Sequence, residues 1–217
     1  MSNAKELKKA LFLEKKHGGL LFSEEELKKA FDFCEEYKNF LNSSKTEREA
    51  VDYAVARAEK SGFTPFDPAK TYKAGDKVYL NNRGKALILC VVGKKPLTEG
   101  VHIMAAHTDS PRLDLKQVPL YEDNEIAYFK THYYGGIKKY QWGATPLSLH
   151  GVVVKADGST VTVRVGEDAG DPVFCVTDLL PHLAADQMKR PAGEILRGEE
   201  LNLLIGSLPF RDDEASE

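Results

Sequence analysis

The hydrophobic residues of the first sixty positions recur at helical spacing. Ser23 followed by Glu26 is typical of a capping box at a helix start, and Ser44 with Glu47 repeats that signal, with Gly62 as the stop. The first apolar stripe comprises Leu27, Ala30, Phe31, Cys34, Tyr37 and Leu41. The second comprises Val51, Ala54, Val55 and Ala58. We expect both helices to cover a sheet with these stripes.

The pattern changes to strands after Pro68. Residues 77–80 and 85–92 read as two strands joined by the turn Asn81-Asn82-Arg83-Gly84. Residues 101–106 are apolar on both faces apart from one histidine, which is typical of a strand inside a covered sheet. Helices followed by central strands predict an α/β fold built in layers.

From Pro111 onward the sequence is mostly of β character. Predicted strands span residues 125–134, 147–155, 160–165 and 201–208, and the middle two flank a hairpin turn. Residues 179–188 are predicted to form a short helix. We therefore expect two domains, residues 1–110 and residues 111–217.

Charge and composition exclude several classes of function. A net charge of -3 over 217 residues provides no bulk attraction for nucleic acid or anionic lipid. No apolar run is long enough to span a membrane, and no signal-peptide core is present, so we expect a cytoplasmic protein. Motifs of serine hydrolases, P-loop proteins and dinucleotide-binding proteins are also absent from the sequence.

The sharpest chemical feature is His107-Thr108-Asp109-Ser110-Pro111, directly after the predicted buried strand. Residues two apart in an extended segment lie on the same side, so His107 and Asp109 are expected to converge. The imidazole suits zinc, and a nearby carboxylate can orient the ring. The spacing alone is also compatible with a surface histidine that caps a strand end.

A second group, Asp178, His182 and Asp186, recurs every four residues. On a helix these side chains would share one face and could form a separate metal site. Because no fourth ligand lies nearby in sequence, a solvated helix edge is the favoured interpretation.

An ordered set of segments resembles the M18 metallo-aminopeptidases, the family that includes aspartyl aminopeptidase. The segments are Asn82-Arg83-Gly84-Lys85-Ala86, Ala106 to Leu113, Tyr134-Gly135-Gly136, Trp142, Leu147 to Val153 and Pro181-His182-Leu183-Ala184. The resemblance runs from roughly the second helix to the end of the chain.

The resemblance implies a catalytic α/β domain interrupted by an inserted, mostly β oligomerisation domain. It implies two zinc-type ions, with cobalt or manganese as alternatives, that activate a water against the N-terminal bond of a peptide substrate. His107 matches the family's first metal ligand and Asp109 the carboxylate that orients it. His182 matches a catalytic histidine that reaches the active site of a neighbouring subunit. A large homo-oligomer, often a dodecamer, is implied as well.

Two departures from the family pattern change these expectations. Family members supply the remaining metal ligands after the inserted domain, whereas this sequence stops at Glu217 before any of them. We therefore expect the chain to need the missing C-terminal half of the catalytic domain and to be inactive alone. After Trp142 the chain reads Gly143-Ala144-Thr145-Pro146-Leu147 in place of Asp-Arg-Asp-Leu, so a preference for acidic N-terminal residues does not follow.

Two other functions stay open at the level of sequence. The chain could be a non-catalytic assembly fragment that associates through residues beyond Pro111. It could also belong to a related two-metal hydrolase that acts on amides other than peptides.

Overall fold

Three α-helices form the first part of the chain. The computed structural model describes residues 3–13 and 15–208, with α1 at Ala4–Leu11, α2 at Glu24–Ser43 and α3 at Glu47–Lys60. The chain divides into two compact units after Ser44. The first unit contains α1 and α2, and the second contains α3 and the strands described below.

Helix α2 begins as the sequence predicts. The Glu26 amide donates to the Ser23 hydroxyl at 3.3 Å, and the Ser23 amide donates to the Glu26 carboxylate at 2.8 Å, which completes a capping box. The predicted burial of its apolar stripe is wrong, since no residue of α2 is buried and Phe31 is 70% exposed. Among its described residues the first unit contains only helices, so it offers no sheet on which the stripe could pack.

Helix α3 begins two residues later than predicted. The cap is Thr46 with Glu49, not Ser44 with Glu47: the Glu49 amide donates to the Thr46 hydroxyl at 3.3 Å, and the Thr46 amide donates to the Glu49 carboxylate at 2.9 Å. The pairs Ser44–Glu47 and Thr46–Glu49 both match the capping-box pattern, and only Thr46–Glu49 forms both hydrogen bonds of the box. Gly62, with a φ of +85°, follows the helix as predicted.

A three-stranded sheet follows α3. Its strands are β1 (Thr64–Pro65), β2 (Lys77–Asn82) and β3 (Ala86–Val91), in the order β1-β2-β3. Strands β2 and β3 form the predicted antiparallel hairpin. The α3 helix packs against both of them, and Val51 of the helix and Val78 of β2 are buried. Full burial of a valine side chain stabilises the fold by about 1.5–3 kcal/mol.

The predicted central strand at residues 101–106 is not formed. This segment is irregular and exposed, and Met104 has its entire surface accessible. A strand that is apolar on both faces needs a neighbouring strand and covering layers to satisfy its backbone and bury its side chains. Strand β3 ends the sheet among the described residues, so this run has no strand partner there.

A four-stranded antiparallel sheet supplies the main core. Its order is β4-β5-β9-β8, and the strands are β4 (Arg112–Asp123), β5 (Ile126–Tyr134), β8 (Cys175–Val176) and β9 (Leu203–Gly206). Asn124 and Glu125 both adopt positive φ in the two-residue turn between β4 and β5, as this type of hairpin requires. The core beneath the sheet consists of buried Val176, Leu196, Leu201 and Leu203.

Strands β6 (Leu149–Val154) and β7 (Thr160–Val165) form the predicted hairpin. The predicted helix at residues 179–188 is wrong: this stretch contains turns and the short 3-10 segment Gln187–Lys189. Its large apolar side chains remain exposed, among them Leu183 and Met188. An isolated ten-residue segment needs packing to hold a helix, and here that packing is not provided.

Together the elements form a mixed α/β fold, as predicted. No helix in the part of the chain that the structure describes is long and apolar enough to cross a membrane. The boundary near Pro111 separates the three-stranded sheet from the four-stranded one in sequence, and its role as a domain border stays a prediction.

Candidate functional site

The segment from His107 to Pro111 brings the two predicted site residues together. Nδ1 of His107 lies 2.8 Å from the main-chain oxygen of Asp109 and 3.3 Å from its Oδ1. The Thr108 hydroxyl donates to the main-chain oxygen of Lys85 at 3.3 Å, which connects the segment to the residue preceding β3. The convergence of His107 and Asp109 is therefore achieved by an irregular segment and not by a strand.

This contact fixes which nitrogen of His107 is available to a ligand. A main-chain oxygen can only accept a hydrogen bond, so Nδ1 of His107 must carry the proton that it shares with Asp109. In the neutral ring the lone pair then lies on Nε2. The His107 side chain is 82% exposed, and none of the described residues forms a hydrogen bond with Nε2. Nε2 is therefore exposed, and its lone pair can coordinate a cation.

Tyr134 holds the carboxylate of Asp109 from the other side. Its hydroxyl donates to Oδ2 of Asp109 at 2.7 Å. The pKa of Asp109 lies below its ordinary value, chiefly because of this hydrogen bond and with a smaller contribution from His107. The same contact raises the pKa of Tyr134. The hydrogen bond therefore favours the ionised form of Asp109 and the protonated form of Tyr134.

The β4–β5 ladder places Tyr134 at this position. Arg112, the first residue of β4, pairs in register with Tyr134, the last residue of β5. The Arg112 guanidinium lies 4.2 Å from the centre of the Tyr134 ring, and its Nε donates to Asp114 at 2.7 Å. Gly135 turns the chain at a φ of +81°, and a β-carbon there would lie 3.6 Å from Pro111. This close approach brings the end of β5 against the segment that carries Asp109.

Known proteins are similar to this chain in both sequence and fold. A family model described as "Aminopeptidase I zinc metalloprotease (M18)" matches residues 40–214. The chain belongs to the M18 family. It is 51% identical over 208 residues to a "Probable M18 family aminopeptidase 1" of Clostridium acetobutylicum, covering 94% of this chain and 45% of the relative.

Solved structures have the same architecture. The crystal structure of an M18 aminopeptidase from Thermotoga maritima matches with a TM-score of 0.84 and 40% identity, over 94% of this chain and 44% of the other. The S. cerevisiae mApe1 dodecamer shares the fold with a TM-score of 0.61 and 21% identity, over 84% of this chain and 40% of the other. The chain thus spans about 45% of the length of these M18 relatives.

The imidazole of His107 fits one ligand position of a zinc site. Imidazole nitrogen is a preferred zinc ligand, and a ring held at its second nitrogen by a carboxylate or carbonyl is the usual arrangement. A catalytic zinc site normally takes three protein ligands. Within residues 3–13 and 15–208, no group of three or more His, Cys, Asp or Glu side chains is placed to hold a metal ion. His107 and Asp109 therefore fit as part of such a site and not as the whole of it.

His182 lies away from this pair in the M18 chain. It is exposed, in the turns between β8 and residues 187–189, and no described contact joins it to His107 or Asp109. The alternative metal site of Asp178, His182 and Asp186 is not formed, because the residues do not share a helix. Asp178 accepts instead from the Gln187 side-chain amide at 2.9 Å, and Asp186 lies 3.5 Å from Lys189.

A buried ionic cluster around His150 was not predicted from the sequence. Nδ1 of His150 lies 2.7 Å from the Glu49 carboxylate, and Nε2 lies 3.0 Å from the Glu167 carboxylate. The Ser148 hydroxyl also donates to Glu167, at 2.7 Å. The His150 side chain is only 8% exposed. The two carboxylates occupy both ring nitrogens of His150, so neither nitrogen is free to bind a metal.

Proposed function

We propose that this chain, together with the remaining part of an M18 polypeptide, acts as a metallo-aminopeptidase that removes N-terminal residues from peptides. The partner it needs is the C-terminal half of the catalytic domain, since the chain spans about 45% of its relatives. We place this activity in the cytoplasm. The observation that carries the proposal is the outward-facing Nε2 of His107, whose ring is held at Nδ1 by Asp109.

The chain's own residues have two roles at the metal. His107 would provide one zinc ligand through Nε2, and Asp109 would keep the proton on Nδ1 and fix the ring plane. When bound, the zinc ions would supply Lewis-acid polarisation of the peptide carbonyl and activation of the attacking water. The main-chain oxygen of Asp109, 2.8 Å from Nδ1 of His107, and its Oδ1, at 3.3 Å, support this role.

His182 would act in a different subunit of a homo-oligomer. Its exposed position and its lack of described contacts with His107 support a role outside its own site. There it would donate a hydrogen bond to the negative charge that develops on the carbonyl oxygen. The S. cerevisiae mApe1 structure, which shares the fold, is that of a dodecamer, and we propose a large homo-oligomer, with a dodecamer as the reference, for the complete protein here.

A second candidate function applies to the chain when it is separated from the remaining polypeptide. The described residues contain no complete group of metal ligands, so the isolated chain would be catalytically inactive. Its remaining function would then be self-association as an assembly fragment. Sedimentation of the isolated chain, with zinc analysis and a peptidase assay of the same sample, tests this candidate: assembly without zinc or turnover supports it, and a monomer contradicts it.

The test of the peptidase proposal is His107→Ala in the complete protein. We expect hydrolysis of aminoacyl amides and peptides to fall below detection, and the zinc content per subunit to fall, because one ligand is lost. His132→Ala is the matched control: His132 is an exposed histidine on β5, and its replacement should leave zinc content unchanged.

Unchanged turnover and zinc content in His107→Ala would overturn the assignment of His107. A substrate panel tests the reaction itself. If the complete protein cleaves other amides and leaves peptides intact, it belongs with the related two-metal amide hydrolases and the peptidase proposal fails.

A further inference from the structure

We propose that Tyr134 is a positioning residue for the metal site, acting on His107 through Asp109. This inference rests on the proposed function, because it assigns Tyr134 a part in the zinc affinity of His107. It adds a residue from the antiparallel β4–β5 sheet to a site whose other described members lie on the segment before β4.

The geometry forms a continuous chain of contacts. The Tyr134 hydroxyl donates to Oδ2 of Asp109 at 2.7 Å, while Oδ1 of the same carboxylate lies 3.3 Å from Nδ1 of His107. The two carboxylate oxygens therefore serve different partners. Without the tyrosine hydroxyl, the carboxylate could rotate toward solvent and reduce its hold on the imidazole, since Asp109 is partly exposed.

The tyrosine ring is itself fixed. Arg112 lies against its face at 4.2 Å, a distance at which the cation and the ring attract each other. Arg112 is held in turn by Asp114 at 2.7 Å and approached by Glu47 at 3.5 Å. A hydroxyl on an immobilised ring loses little conformational entropy when it forms its hydrogen bond. Such a donor suits the task of fixing a carboxylate.

The alternation of β5 provides a matched control. Successive residues of a strand point to opposite faces: Tyr134 faces Asp109, whereas its neighbour Tyr133 packs against the core of Val176, Leu196, Leu201 and Leu203. Replacement of either tyrosine by phenylalanine removes one hydroxyl and keeps the ring. Only the replacement of Tyr134 removes a contact with the site.

The test uses the complete protein with four single variants, Tyr134→Phe, Tyr133→Phe, Asp109→Ala and His107→Ala, and the double variant of Tyr134 and Asp109. Zinc dissociation constants are measured by competition with a chelator, and thermal unfolding midpoints by calorimetry. We expect Tyr134→Phe to weaken zinc binding by about tenfold, the lower end for groups that orient a metal ligand, and Tyr133→Phe to leave it unchanged. In the Asp109→Ala background, Tyr134→Phe should have no further effect, because its path to the metal is already lost.

The inference alone would be overturned by wild-type zinc affinity in Tyr134→Phe while His107→Ala loses zinc, or by a loss in Tyr134→Phe of the same size with and without Asp109. Equal weakening by Tyr133→Phe, with matching falls in unfolding midpoint, would also overturn it by showing a general effect of lost stability. Wild-type zinc affinity in His107→Ala would overturn the proposed function and this inference together.

Discussion

At the scale of single residues, His150 shows how one side chain can link distant parts of the second unit. It lies between Glu49 of α3 and Glu167, which follows β7. Glu49 uses its other oxygen to complete the cap of α3 through the Thr46 amide. The helix start and the β6–β7 hairpin are therefore joined through one buried imidazole.

This cluster predicts an acid dependence of stability. Ser148 and then His150 lower the pKa of Glu167. Burial raises the pKa of Glu49, but its interactions with His150 and its hydrogen bonds from Thr46 together outweigh burial and lower the pKa. A carboxylate with a depressed pKa in the folded state contributes stability that is complete above the ordinary value of about 4.3 and is lost as pH falls below it.

Glu167→Gln should therefore make the loss of stability between about pH 5 and pH 3 shallower than in the wild type. Urea unfolding across this range measures the effect. Glu99→Gln is a suitable control, because Glu99 is a solvent-exposed carboxylate paired with Lys95 four residues away, a type of pair that contributes little. Equal pH slopes for the wild type and Glu167→Gln would show that the cluster does not contribute to stability.

The contact between His107 and Asp109 could be predicted from the sequence, whereas the contacts of His150 could not, for a physical reason. His107 and Asp109 are two residues apart, so the geometry of an extended segment predicts that they lie on the same side. The partners of His150 lie 101 and 17 residues away, and only the folded positions of α3 and the hairpin bring them together. The family resemblance did include His150, but neither spacing nor composition indicated its partners.

At the scale of elements, local sequence signals predicted most helix and strand boundaries. They failed for segments whose structure depends on packing against distant parts of the chain. The capping box of α2 and the β2–β3 and β6–β7 hairpins were predicted because hydrogen bonds within a few residues specify them. The strand at residues 101–106 and the helix at residues 179–188 depend on neighbours far away in sequence. Both have exposed apolar side chains in this structure, and neither is formed.

Residues 101–106 should become a protected strand when the remaining M18 polypeptide is present. The run is apolar on both faces and lies directly before His107, so a strand partner would bury it and complete its hydrogen bonds. Hydrogen exchange measures this: the amides of residues 101–106 should exchange quickly in the isolated chain and slowly in the complete protein. The amides of β5, which pairs on both sides, should be protected in both samples. Fast exchange of residues 101–106 in the complete protein would contradict the expected strand.

At the scale of the whole molecule, M18 membership and the mixed α/β fold agree with the resemblance found in the sequence. The division into catalytic and oligomerisation domains at Pro111 stays a prediction, since it concerns the complete polypeptide. Among the described residues, His107 lies exposed beside Asp109, and no group of three or more His, Cys, Asp or Glu side chains is placed to hold a metal ion.

Anomalous diffraction at the zinc edge, from crystals of the complete protein, would show directly whether His107 binds zinc. We expect a zinc peak about 2.0–2.1 Å from Nε2 of His107, with Asp109 still at Nδ1 and the other ligands supplied by polypeptide beyond residue 217. Zinc bound elsewhere, with the His107 ring free in solvent or coordinated through Nδ1, would contradict the account.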